Sequence, residues 1–352
     1  MEKALGVKRT MALGLTTVVL ATGLALIIAE ILLRVLNPAM SYAYMPYEVH
    51  VSHFRKSSFL PSELRPNNRS RFKMLEFDTT VITNSMGLRD NEVDFSKPRV
   101  LCMGDSFTFG FGVENDETFC SILEQLFQGK YDFLNAGFAD GFSPDTYALW
   151  LSKYRKDISP KGLIVCISEN DLDEVNSNFW IKADKVMTLE DQGLPDRIEK
   201  KGFIVTEDGA GLREGVIAKL PPSMRRLLKR SYLIAFLRDR LLHDIDWSMW
   251  AYQPRGKQPQ QDAKFIRSLE LLRHASGDRL TGFYLIPSLG QTGPSRTHSM
   301  VIEFAARYGV PVFSNYRDFS KADYFPLDVH FNRAGHLKAA RYLHRALSLS
   351  GF

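Results

Sequence analysis

From Arg99 onward, short apolar runs alternate with segments of helical spacing. The apolar runs are rich in branched side chains, which is typical of strands buried on both faces. The predicted strands are Val100–Met103, Phe133–Leu134, Leu163–Ile167, Gly282–Pro287 and Val310–Phe313. The predicted helices are Thr118–Phe127, Thr146–Tyr154, Ser299–Tyr308 and Asn332–Leu347. This alternation predicts an α/β fold in which helices cover a central parallel sheet.

The amino-terminal run Met11–Ala29 carries no charged residue and is long enough to cross about 30 Å of hydrocarbon as a helix. Three basic residues precede it, namely Lys3, Lys8 and Arg9. By the positive-inside rule, the amino terminus stays in the cytoplasm and the remainder is exported. The sequence therefore predicts a cytoplasmic tail over residues 1–10 and a single membrane anchor over residues 11–36.

A cleaved signal peptide and a buried soluble helix are the alternatives to this anchor. A signal peptide has a shorter apolar core and a cleavage site flanked by small residues. Here the helical pattern continues through Glu30–Arg34, and no such cleavage site follows. These features favour an uncleaved anchor.

Composition narrows the class of protein without identifying a function. Hydrophobic residues make up 45% of the chain, so a large core can form and extensive disorder is not expected. The net charge of +5 is small for 352 residues and does not indicate a nucleic-acid partner. Cys102, Cys120 and Cys166 lack C-x-x-C spacing, which argues against a zinc knuckle or a thioredoxin-like motif. We expect all three cysteines to be small residues of the core, with a disulfide between two of them as the alternative if the domain lies in an oxidising compartment.

Two regions depart from the regular alternation. Residues 37–98 form a lead-in segment, in which Thr79–Thr83 is a predicted strand of a short hairpin. Residues 99–352 form the main domain, with a predicted insertion at about 176–263 that is rich in charge, glycine and proline. The insertion contains a basic predicted helix, Met224–Leu242. Its basic face is either a solvated surface or a contact for anionic lipid headgroups or an acidic glycan.

Four short blocks carry groups suited to nucleophilic catalysis, and each follows a predicted strand or precedes a predicted helix. Ser106 comes directly after a buried strand, where a parallel sheet binds ligands. A glycine-bearing loop and an asparagine follow later strands and could supply donors to an oxyanion. A histidine before the last helix could act as a general base. The blocks are Gly104–Phe107, Asn135–Gly141, Ser168–Asp171 and Asp328–His330.

Taken singly, each block has an ordinary structural explanation. Ser106 could be a helix cap, the glycine block a flexible loop, and Asn170 a second cap. A lone histidine is more often structural, and we interpret His298, His336 and His344 in that way. The four blocks in chain order, however, resemble the SGNH (GDSL-type) hydrolase superfamily, through GDSFTFG, NAGFADG, SEND and DVHFNRAGH. The anchor followed by Asn84–Arg89 is also similar to bacterial membrane-tethered members.

The resemblance implies a three-layer, flavodoxin-like α/β sandwich and assigns a role to each site residue. In that assignment the catalytic residues are Ser106 as nucleophile, His330 as base and Asp328 as its orienting acid. The oxyanion donors are the Ser106 amide, the Gly141 amide (preferred over Gly137) and the Asn170 side chain. No metal or organic cofactor is implied. One departure is Ser168, which stands where the family usually has glycine.

The leading functional prediction is an exported esterase, tethered on the periplasmic side of a bacterial inner membrane, that hydrolyses O-acyl esters of a carbohydrate or lipid. The same residues would serve an O-acyltransferase that passes an acyl group to an envelope glycan, with a membrane-protein partner that delivers acyl groups across the bilayer. A third alternative is a non-catalytic SGNH-like assembly subunit. Sequence alone does not separate these alternatives.

Overall fold

The computed structural model of the protein describes residues 2–36, 53–55, 63–138, 142–175, 180–182, 185–187, 230–242 and 259–352, with single positions 38, 57, 60, 221, 224 and 228 between them. The strands are β1 (Phe54–Arg55), β2 (Glu63–Leu64), β3 (Arg69–Lys73), β4 (Asp78–Ile82), β5 (Arg99–Gly104), β6 (Asp132–Gly137), β7 (Gly162–Ile167), β8 (Trp180–Lys182), β9 (Lys185–Met187), β10 (Leu280–Leu285) and β11 (Val312–Ser314). The α-helices are α1 (Glu2–Leu36), α2 (Ser106–Phe109), α3 (Phe119–Leu126), α4 (Pro144–Ile158), α5 (Asp171–Glu174), α6 (Tyr232–Leu242), α7 (Pro259–Ser276), α8 (Arg296–Tyr308) and α9 (Arg333–Leu349).

Five strands form one parallel sheet in the order β11-β10-β7-β5-β6. Counted along the chain, these strands have the order 2-1-3-4-5, which is that of flavodoxin-like proteins. The chain reverses direction across the sheet between β5 and β7, and ligands bind at the carboxyl ends of strands at such a switch point. The predicted α/β fold with a central parallel sheet is confirmed.

The sheet is buried on both faces, and alternate side chains of each strand enter different cores. Leu101 and Met103 of β5 lie in the core shared with α4, α7 and α8. Val100 and Cys102 of the same strand lie in the core shared with α3 and α9. Two helical layers with a sheet between them make the three-layer sandwich. Its cysteines Cys102, Cys120 and Cys166 are free and buried.

The lead-in segment contains the antiparallel hairpin β3–β4, in which Arg69 is opposite Ile82 and Lys73 is opposite Asp78. The turn that follows requires glycine, because Gly87 has a φ of +78° and a Cβ there would lie 2.9 Å from the Leu64 carbonyl oxygen. This hairpin and the sheet belong to the same compact unit.

A separate compact unit contains α1 and α6. The span Leu13–Leu36 is long and apolar enough to cross a membrane, a test that a signal sequence would also pass. Near its end, Glu30 accepts hydrogen bonds from the amides of Tyr232 and Leu233 and from the Ser231 hydroxyl. A carboxylate at the amino-terminal end of α6 is favourable, since the first amides of a helix lack partners within it.

The predicted helix bounds differ from the observed ones mainly in the insertion. Helix α6 covers the carboxyl-terminal part of the predicted Met224–Leu242 helix, while Arg225, Arg226 and Lys229 lie outside the described residues. Helix α7 was not predicted, and it begins at Pro259, inside the range assigned to the insertion. Its apolar residues Phe265, Leu269 and Leu272 have helical spacing, which is the signal that could have identified it.

Candidate active site

Ser106 lies at the carboxyl end of β5 and begins the four-residue helix α2. Asp105 caps this helix by accepting a hydrogen bond from the Phe107 amide at 3.1 Å. Gly110 ends the helix with a φ of +86°, which only glycine adopts at little cost. The sharp strand-to-helix turn therefore exposes the Ser106 side chain at the switch point of the sheet.

His330 lies near the carboxyl-terminal end of the domain in sequence, but its side chain contacts Ser106. Its Nε2 lies 2.7 Å from Ser106 Oγ, and its Nδ1 lies 2.6 Å from Asp328 Oδ1. Because the Asp328 carboxylate accepts at Nδ1, the proton of the neutral ring resides there and Nε2 is left to accept from the serine hydroxyl. The structure thus brings together the three side chains that the sequence predicted as catalytic residues.

The environment of His330 favours its protonated form. Burial lowers the pKa of this histidine, but the charge of Asp328 and its hydrogen bond outweigh that effect, so the pKa is raised above its ordinary value. The charge of Asp105 adds to the increase. The imidazole packs against the rings of Phe107 and Phe111, at centroid distances of 4.8 Å and 4.9 Å. These contacts fix the orientation of the imidazole, and its raised pKa allows it to hold a proton transferred from the serine.

Two other histidines are buried and remain neutral, which separates them from His330. Burial lowers the pKa of His298 to about 4 and that of His336 to about 3. His298 Nδ1 lies 2.9 Å from the Tyr316 hydroxyl, and His336 Nδ1 accepts from the Phe119 amide at 3.2 Å. Both are structural residues of the core.

The predicted oxyanion donors are only partly brought together. Among the described residues, none accepts a hydrogen bond from the Ser106 amide. Gly141 lies outside the described residues. The Gly137 amide already donates to Asn135 Oδ1 at 2.9 Å, and a Cβ on Gly137 would lie 2.1 Å from the Phe109 nitrogen. Gly137 therefore allows α2 to pack against β6, and its single N–H is engaged.

Asn170 lies in a polar cluster that includes Ser168 and Asp105, the residue before Ser106. Its Nδ2 donates to Glu174 Oε1 at 2.9 Å, and its Oδ1 accepts from the Ser168 hydroxyl at 2.7 Å. An amide nitrogen carries two N–H groups, so one hydrogen bond does not exhaust its capacity as a donor. The side chain is thus held in place by its own loop.

Ser168 bridges two buried carboxyl groups in this cluster. Its hydroxyl lies within hydrogen-bond distance of Asp105 Oδ2, Asp171 Oδ2 and Asn170 Oδ1. The single hydroxyl proton of Ser168 can be donated to only one of these three atoms at a time. Burial and the neighbouring charge of Asp105 raise the pKa of Asp171 well above its usual range. Burial also raises the pKa of Asp105, but the hydrogen bond from Ser168 opposes that rise, so Asp105 ionises more readily than Asp171.

Sequence reasoning missed three residues that support the site. Arg89 is buried and donates to the carbonyl oxygens of Phe109, Gly110 and Val113, which fixes the chain that leaves α2. Asp171 and Glu76 are the others. The sequence marks the motif Asn84–Arg89 but assigns it no role, and no pattern in the sequence indicates Glu76. Within the described part of the chain, no group of three His, Cys, Asp or Glu side chains could hold a metal ion.

Comparison with known proteins finds similarity in structure but not in sequence. No family model matches the chain, and a search of curated proteins found no match. A solved member of the lipolytic G-D-S-L family from Veillonella parvula is 12% identical, with a TM-score of 0.37, covering 71% of this chain and 98% of that one. An acetylxylan esterase from Geobacillus stearothermophilus, solved as a catalytic mutant, is 13% identical, with a TM-score of 0.38, covering 72% and 94%.

A two-domain esterase active on acetylated mannans is also similar, at 12% identity and a TM-score of 0.40. That match covers 72% of this chain and 50% of the esterase. All three TM-scores are below 0.5. The fold is therefore assigned from the strand order of this chain, and the site from the distances among its own side chains.

Proposed function

We propose that this protein is a serine esterase in which Ser106 is the nucleophile. The observation that carries the proposal is the continuous hydrogen-bonded series from Ser106 Oγ through His330 to Asp328, at 2.7 Å and 2.6 Å. Ser106 and His330 are 224 positions apart in the chain, so only the fold brings them together. A nucleophile, a base in contact with it and an acid that orients the base are the parts that acyl transfer needs.

In the proposed reaction, Ser106 Oγ attacks the ester carbonyl while its proton passes to His330 Nε2. The charge that develops on the carbonyl oxygen is stabilised by the Ser106 amide, with the Asn170 side chain and Gly141 as further donors. Collapse of this intermediate breaks the bond to the alcohol, which leaves with the proton from His330. Water then attacks the acyl-enzyme by the same route, giving the free acid and restoring Ser106.

We infer that the enzyme is exported and stays tethered by α1, with its catalytic residues on the periplasmic side of a bacterial inner membrane. The apolar span Leu13–Leu36 and the basic residues before it support this orientation. A site tethered there would meet the O-acylated carbohydrates or lipids of the envelope, which we propose as substrates.

The proposal is tested on the full chain in detergent with a fluorophosphonate probe and p-nitrophenyl acetate. We expect wild type to be labelled and to hydrolyse the ester, and Ser106→Ala to lose labelling and at least about 10³-fold in rate. Ser348→Ala, which removes a hydroxyl from an exposed position on α9, is the matched control and should behave as wild type.

Product analysis separates hydrolysis from acyl transfer. With acetylated and longer-chain esters plus an envelope glycan as acceptor, an esterase releases free acid, whereas a transferase leaves acyl groups on the glycan. Absence of labelling and turnover in wild type would refute a catalytic role and favour an assembly subunit.

A further inference from the structure

The turn that presents His330 contains a strained residue. Val329, between the two residues of the acid–base pair, has a φ of +64°. A β-branched residue rarely adopts this left-handed conformation, and such a strained conformation persists only where the surrounding structure enforces it. The turn is closed by two backbone hydrogen bonds, from the Phe325 amide to the His330 carbonyl and from the Val329 amide to the Phe325 carbonyl.

A distant carboxylate holds the outer side of this turn. Glu76, which lies between β3 and β4, accepts from the Leu327 amide at 2.9 Å and 3.0 Å and from the Asp328 amide at 2.6 Å. Hydrogen bonds from amides to a carboxylate are stronger than those between neutral groups. Glu76 thus binds the two amides that immediately precede the strained residue.

The hairpin that carries Glu76 is itself packed against the site. Phe77 contacts Phe325 at a centroid distance of 5.2 Å and Phe111 at 5.5 Å. Phe111 in turn lies against the ring of His330. The Met74 amide donates to the Phe77 carbonyl, which closes the hairpin turn around Glu76. The carboxylate therefore projects from a braced element and acts on the turn from a fixed position.

We propose that Glu76 is a positioning residue that keeps the strained turn at residues 325–330 in the conformation that places His330 against Ser106. This inference rests on the proposed esterase function. Without the carboxylate, Val329 would relax toward negative φ, and the directions of Asp328 and His330 would change together, because they flank it. A displacement of about 1 Å at a catalytic group can cost about 100-fold in rate.

Four variants of the full chain test this role: Glu76→Ala, Glu76→Gln, Val329→Gly and the double variant Glu76→Ala/Val329→Gly. We expect Glu76→Ala to lower kcat/KM for p-nitrophenyl acetate about 100-fold. Glu76→Gln, which keeps one acceptor oxygen, should lose about tenfold. Glycine adopts positive φ readily, so Val329→Gly should restore part of the activity of Glu76→Ala.

The matched control is Glu92→Ala. Glu92 also binds a turn, since it accepts from the amide and hydroxyl of Ser85 at 2.8 Å and 2.6 Å. We expect this variant to stay within twofold of wild type in kcat/KM. The acidic limb of the pH profile adds a readout that general destabilisation would not move. A looser Asp328–His330 contact lowers the pKa of His330, so the limb should shift to lower pH in Glu76→Ala and by a smaller amount in Glu76→Gln, but not in Glu92→Ala.

The outcomes distinguish the two proposals. If wild type hydrolyses the ester and Glu76→Ala does so within twofold with an unmoved acidic limb, the positioning role is wrong. If Glu76→Ala fails to fold, Glu76→Gln decides by the same criterion. If wild type is neither labelled nor active, the esterase function fails, and backbone amide chemical shifts of residues 325–330 in Glu76→Gln then test whether the carboxylate holds the turn.

Discussion

The two sides of the Ser106–His330 contact are held in different ways. The nucleophile side, residues 104–110, follows a central strand and is fixed by close backbone packing and by the buried Arg89. The base side, residues 325–331, is a turn between elements that contains a strained valine and is held by Glu76. Regular structure determines the first side, whereas long-range contacts of Glu76 and Phe77 with the turn hold much of the second. Substitutions on the first side should therefore displace Ser106, whereas substitutions on the second should change the position and the pKa of His330.

The largest effect is expected from Gly137→Ala. The new methyl group would lie 2.1 Å from the Phe109 nitrogen and 2.5 Å from the Thr108 carbonyl carbon, and backbone atoms cannot rotate aside as a side chain can. Helix α2 must then shift with Ser106, so we expect probe labelling to fall at least about 100-fold, with a loss of about 1–3 kcal/mol or more in stability.

Gly293→Ala is the control for this change, because a Cβ there meets nothing within 4 Å and the residue has no positive φ. It should leave labelling and unfolding as in wild type. Normal labelling of Gly137→Ala would show that α2 tolerates displacement and that the nucleophile side is less rigid than the packing indicates.

A second difference is that carboxyl groups whose pKa is raised by desolvation lie in the nucleophile side or close to it in the network of Asn135. Asp90 accepts from the Asn135 amide at 2.7 Å, and burial raises its pKa to about 7. The folded protein therefore binds this proton more tightly than the unfolded chain does. Its contribution to stability is fully present below about pH 4 and is lost as the pH rises from about 4 to about 7.

Asp90→Asn should remove this part of the pH dependence, which is about 2–4 kcal/mol between pH 4 and pH 8. Urea unfolding at several pH values measures the difference between the two curves, so other titrating groups largely cancel. Asp116→Asn, at an exposed position, should reproduce the wild-type curve. Parallel curves for wild type and Asp90→Asn would contradict the proposed burial of this proton.

Sequence analysis predicted the parts of the molecule that have local signals. Strand β5 with Ser106, and the helix that follows His330, were visible because apolar runs and polar blocks recur at the ends of regular elements. Glu76 was invisible, because a carboxylate 251 residues before its partner leaves no pattern in the chain. Helix α7 was overlooked since its start lies in a polar segment that was assigned to the insertion.

The oxyanion donors show the same limit in another form. The sequence offers Gly137 and Gly141 as alternative donors and favours Gly141, and only the fold shows that the Gly137 amide is already bonded to Asn135. The Gly141 assignment stays a prediction. Likewise, Ser168 was noticed as a departure from the family pattern, but its position between two carboxyl groups depends on the approach of β5 and β7.

The smallest predicted effect is that of replacing Ser168. Through its hydrogen bond to Asp105, this serine affects the charge near His330 and so the pKa of that histidine. Burial raises the pKa of Asp105, and the Ser168 hydrogen bond opposes that rise, so it favours a negative charge that in turn raises the pKa of His330. In Ser168→Ala, Asp105 becomes harder to ionise and the pKa of His330 falls. The acidic limb of kcat/KM should shift to lower pH by a fraction of a unit, with a rate change of only a few-fold.

The control is Ser152→Ala, which removes an exposed hydroxyl that bonds within α4. It should leave the acidic limb in place. A shift of the limb to higher pH in Ser168→Ala would mean that Asp105 is neutral in wild type and that the charge in this cluster lies on Asp171 instead. Asp328 is hydrogen-bonded to His330, whereas Asp105 affects it only through its charge. We therefore expect a smaller shift of the limb in Ser168→Ala than in Glu76→Ala. That result would show that the turn determines most of the pKa increase of His330 and that the buried cluster adds a smaller part.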